Sequence, residues 1–93
     1  MNRNLADAAS DLKRVIYASL SSSGFSSPNV SHFLQSADKI VKANKNHLRK
    51  DRFNQIKKII SQGNNPLIPE IKRRDDLLMA AVMLQNEFTL TQK

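Results

Sequence analysis

Four stretches of this chain place apolar residues at spacings of three and four, and each stretch ends at a break that a helix does not cross. The first carries Leu5, Ala9, Leu12, Ile16 and Leu20 on one side, widened by Ala8 and Val15. The second carries Val30, Phe33, Leu34, Ala37, Ile40 and Val41, and the third Phe53, Ile56, Ile59 and Ile60, with Leu48 one turn earlier. The fourth begins near Pro69 and contains the unbroken apolar run Leu77 to Leu84. No strand-type alternation competes with this pattern. The expected fold is therefore all-α: a compact bundle of four short helices at about residues 5–21, 28–43, 47–62 and 69–88. A chain of 93 residues supports one domain, with residues 89–93 expected as a frayed tail.

The helix ends are written into particular residues. Asn4 is placed to cap the first helix, and Ser21-Ser22-Ser23-Gly24 stops it, glycine being free to adopt the left-handed conformation. Ser27-Pro28 reads as a cap followed by a first helical residue, where proline loses no hydrogen bond. Asn46 or Asp51 is the expected cap of the third helix, and Gly63 with Asn64-Asn65-Pro66 closes it. Pro69 and Glu70 suit the start of the fourth.

Leu77 to Leu84 is too short to cross a bilayer, which takes about 20 residues. A helix apolar on every side is either central in a core or shares its outer side with a partner. Met79 and Met83, with Arg73 further toward the N-terminus, form the expected protein-partner surface, and a homodimer is the alternative occupant.

Charge is concentrated elsewhere. The formal net charge is +7, and the window from Lys39 to Lys58, with eight basic residues and Asp51 as its acid, holds a net +7 by itself. On the third helix Lys50 and Lys57 fall nearly in line, joined by Asn54 and Ser61, with Lys58 further round. Lys42 and Lys45 extend the basic region back to the second helix. Cations with hydrogen-bonding neighbours suit phosphate oxygens, so this region is the expected site for a nucleic acid or another anionic partner. The same pattern also serves as a plain solvated face. Lys72-Arg73-Arg74 instead adjoins Asp75-Asp76, and Glu70 stands four residues before Arg74, an arrangement for local ion pairs.

The residues that carry catalysis are missing or scattered. There is no cysteine, the two glycines form no phosphate-binding loop, and His32 and His47 lie in different segments without metal-ligand spacing. The expectation is a non-enzymatic protein with no cofactor and no metal. The lack of cysteine and of an apolar leader at the N-terminus points to the cytoplasm. The twelve-residue pattern Arg52-Phe53-x-x-Ile56-Lys57-x-x-Ile60-x-x-Gly63 resembles a helix of flagellar anti-sigma factors, and Pro66 and Pro69 interrupt it beyond Gly63. Size, charge and the four-helix pattern resemble bacteriocin immunity proteins in architecture alone. The sequence thus points first to a small basic protein-interaction or regulatory module that uses its fourth helix. A nucleic-acid-binding accessory protein that uses residues 39–58 is the alternative.

Overall fold

A computed structural model describes residues 3–91. Four α-helices follow one another: α1 (Leu5–Ser19), α2 (Pro28–Ala43), α3 (Lys50–Ser61) and α4 (Glu70–Thr91), with single 3-10 turns at Gly24–Ser26 and Lys45–His47. No strand occurs among the described residues, so the all-α expectation holds. α1 packs closely against both α2 and α4, and α3 closes the bundle more loosely against α4 and α2.

The core follows from the three-four spacing. Leu12, Val15, Val30, Val41, Ile56, Leu77 and Leu84 are wholly buried, together with Ala8, Ala37, Ala80 and Ala81. The alanines contribute little side-chain bulk and let the helices that carry them approach closely. No helix is long and apolar enough to cross a membrane among the described residues.

Local chemistry sets the boundaries. The Asn4 side chain accepts from the Asp7 amide while Asp7 accepts from the Asn4 amide, a reciprocal cap at the head of α1. Ser19 and Ser21 donate their hydroxyls to the carbonyls of Ile16 and Ala18, so the serine run satisfies the final turn that it ends. Gly24 takes φ +56° in the loop that follows. Ser27 caps α2 with Pro28 at its start, as expected.

Two boundaries differ from expectation. α3 starts at Lys50 rather than near residue 47, and neither Asn46 nor Asp51 caps it; Arg49 occupies the cap position without a side-chain bond. The reason is Leu48, which is buried and reaches the core from an extended backbone, leaving Lys45–His47 to form a separate turn. α4 begins at Glu70, with the Pro69 carbonyl accepting from the Arg73 amide, and continues to Thr91. Part of the expected tail is therefore helical, and residues 92–93 lie outside the described ones. α3 ends at Ser61, and just beyond it Gly63 packs closely on α2: a Cβ there would lie 2.9 Å from Leu34 Cδ2.

Candidate functional site

Of the candidate anion-binding residues, Lys42 and Lys57 come together on one acid. Asp38, on the exposed side of α2, accepts from Lys42 Nζ at 2.9 Å and from Lys57 Nζ across the groove to α3. Asp38 stands one position before the basic window that starts at Lys39. Burial pushes the Asp38 carboxyl up, but the hydrogen bonds and charges of Lys57 and Lys42 outweigh it and hold the group below its ordinary value. The Asp38 hydrogen bond likewise raises Lys42. Arg49 is also matched: its Nε lies 2.9 Å from Oε1 of the buried Glu87 on α4.

At the α2–α3 turn the surface changes character. Lys45, Asn46, Leu48, Lys50, Phe53 and Asn54 line an open depression of about 420 Å³. The Lys45 ammonium lies 5.3 Å from the centre of the half-buried Phe53 ring, an exposed cation–π contact worth about 0.5–1 kcal/mol. Lys45 and Lys50 make no ion pair among the described residues. The basic region therefore contains an aromatic ring at its surface. Phe53 belongs to the apolar stripe of the third helix, yet it is only half-buried.

Further along the groove, Lys57 and Ser61 line a second depression, of about 310 Å³, with Ser31, Gln35, Asp38 and Asn64. Ser61 donates to the Lys58 carbonyl of its own helix, and Lys58 stands exposed further round α3. The seven residues thus divide. Lys45, Lys50 and Asn54 share one unneutralised depression, Lys57 and Ser61 share an acid-containing one, Lys42 is paired and Lys58 stands apart. A third depression, of about 550 Å³, contains Arg3, Lys39 and His47, but Arg3 there is committed to Ser36 and the buried Asp11.

The fourth helix carries the other candidate surface. Its inner side, Leu77, Ala80, Ala81 and Leu84, lies in the core. On its outer side Ile71 is 73% exposed, Leu78 49%, Met79 48% and Val82 51%. At about 100° per residue, Ile71, Leu78 and Val82 fall within roughly 40° of arc, and Met79 about 60° further round. The methionine pair therefore splits: Met83 packs against the core while Met79 faces outward. Both line a depression of about 230 Å³ with Val82, Arg49 and Arg52.

Arg73 is not part of this surface, contrary to expectation. It is buried, with its guanidinium 4.1 Å from the Phe25 ring centre and Nη1 donating to the Gly63 carbonyl at 3.5 Å. Its neighbours behave as their spacing implies: Arg74 pairs with Glu70 at 3.1 Å and Lys72 with Asp76 at 3.0 Å. Asp11 and Glu87 are buried acids that the sequence did not mark; Asp11 accepts from Arg14, Arg3 and Ser36. His32 and His47 are exposed, and no group of three metal-ligating side chains forms among the described residues. No family model matches this chain, and neither any curated protein nor any solved structure matches it.

Proposed function

We propose that this chain is a non-enzymatic protein-interaction module that docks a helix of a partner protein on the outer side of α4. One observation carries the reading: four large apolar side chains on a single helix, Ile71, Leu78, Met79 and Val82, keep about half or more of their surface in solvent. Covering each of them is worth about 1 kcal/mol, roughly half of a full burial. Scattered apolar residues on a surface need no explanation, but aligned ones on one helix fit a groove-and-ridge contact with another amphipathic helix. Arg52 at the rim and a net charge of +7 favour a partner whose apolar stripe is flanked by acids. A second copy would bring two strongly positive chains together, so it is the disfavoured occupant.

A photo-crosslinking residue at position 82, compared with one at position 35 on α2, tests this in the native cell. The expected result is a discrete adduct from position 82 alone, whose tryptic peptides map to an amphipathic, acid-flanked helix. Adducts solely with a second copy, or equal labelling from both positions, would overturn it.

A further inference from the structure

The depression at the α2–α3 turn is a separate binding site, and we infer that it takes single-stranded nucleic acid. This inference does not depend on the α4 reading. Its walls present two cations, Lys45 and Lys50, two carboxamides, Asn46 and Asn54, and one aromatic ring, Phe53, with no carboxylate among the lining residues. These are the parts a single strand requires: cations for the backbone, a ring on which a base stacks, and groups that both donate and accept toward base edges. Phe53 is half-buried and packed against the core, so the ring is held in place.

The Lys45 ammonium now lies over that ring, 5.3 Å from its centre. A base that stacked on Phe53 would replace a weak exposed cation–π contact and release Lys45 to a phosphate. Binding would therefore exchange one contact for two. The remaining groove confines the strand to the turn end. Toward Asn64 the wall holds Asp38, already matched by Lys42 and Lys57, so the unmatched charge lies at the turn end. The shape also separates single strands from duplexes. The cations border a hollow between a turn and a helix, whereas duplex reading uses a helix that projects into the major groove.

Fluorescence anisotropy with labelled single-stranded and duplex oligonucleotides, at low and then rising salt, tests the inference. Poly-glutamate serves as a protein-like polyanion in competition. The expected result is binding of the single strand in preference to the duplex, with poly-glutamate a poor competitor. The double variant Lys45→Ala/Lys50→Ala should weaken binding at least tenfold and lower the slope of log affinity against log salt by about two, one for each lost phosphate contact. Lys39→Ala/Lys58→Ala, with the same loss of charge elsewhere, should weaken it by less than about threefold. Phe53→Leu keeps an apolar side chain against the core and should weaken binding without changing the salt slope; circular dichroism confirms its fold. Absence of binding at low salt, equal loss in the two lysine double variants, equal affinity for duplex, or efficient competition by poly-glutamate would each overturn the proposal.

Discussion

The outer side of α4 and the groove beside α3 are both open to solvent, but for opposite reasons. On α4 the inner half, Leu77, Ala80, Ala81 and Leu84, already fills the space against α1 and α3, and the outer aliphatic residues have no core left to join. Beside α3 the residues are suited to water, and Asp38 and Glu87 have already matched three of the cations. An exposed surface is therefore informative only after internal partners are assigned. On α4 that assignment leaves Ile71, Leu78, Met79 and Val82; beside α3 it leaves Lys58 standing apart and Lys45 and Lys50 together around Phe53.

The largest expected contrast lies between adjacent residues of one helix. Leu77→Ala should destabilise the protein by about 2–5 kcal/mol, because it opens a cavity in a packed core. Leu78→Ala should change stability by less than about 0.5 kcal/mol, since its side chain is half in water already. Urea denaturation at low protein concentration checks both. Comparable losses would mean that the outer side of α4 is covered in solution and that the contrast between its two sides is false.

A smaller effect separates the two kinds of acid. Asp11 is buried and accepts from Arg14 and Ser36, so Asp11→Ala should cost about 1–3 kcal/mol by leaving those donors without their acceptor. Denaturation of that variant beside Asp38→Ala, whose carboxylate is far less buried than that of Asp11 and whose partner Lys42 lies mostly in water, should show the Asp11 loss to be the larger.

The smallest effect sharpens the groove itself. The fold lowers the Asp38 pKa, so its stabilising contribution is full above the ordinary carboxylate range and is lost as pH falls through the folded value. Asp38→Asn should flatten that part of the acid limb in a pH series of thermal melts. The same variant frees Lys42 and Lys57 and should strengthen oligonucleotide binding modestly. Weaker binding would place Asp38 among the ligand-contacting groups instead.

The helices and their caps were legible because they depend on neighbours in sequence. Asn4, Ser27 with Pro28, and the spacing of Leu12, Val15, Val41 and Ile56 each act within a turn or two, whereas the return bond between Asp7 and Asn4 emerged from the structure. The third helix start was missed because Leu48 is fixed by the core rather than by local preference. The candidate sites were legible only in part, since charge pairing crosses helices. Lys57 meets Asp38 nineteen residues away, and Arg49 meets Glu87 thirty-eight away. The residue type of Arg73 points outward, yet the Phe25 ring and the Gly63 carbonyl give it a buried place that spacing along α4 does not encode.

The claim that the two surfaces act separately is tested most directly by amide NMR of labelled protein titrated with a single-stranded oligonucleotide. Shifts should be confined to residues 45–57, around Lys45, Lys50, Phe53 and Asn54, with Leu78, Met79 and Val82 unmoved. Shifts centred on the outer side of α4, or spread evenly over every lysine-bearing helix, would contradict it.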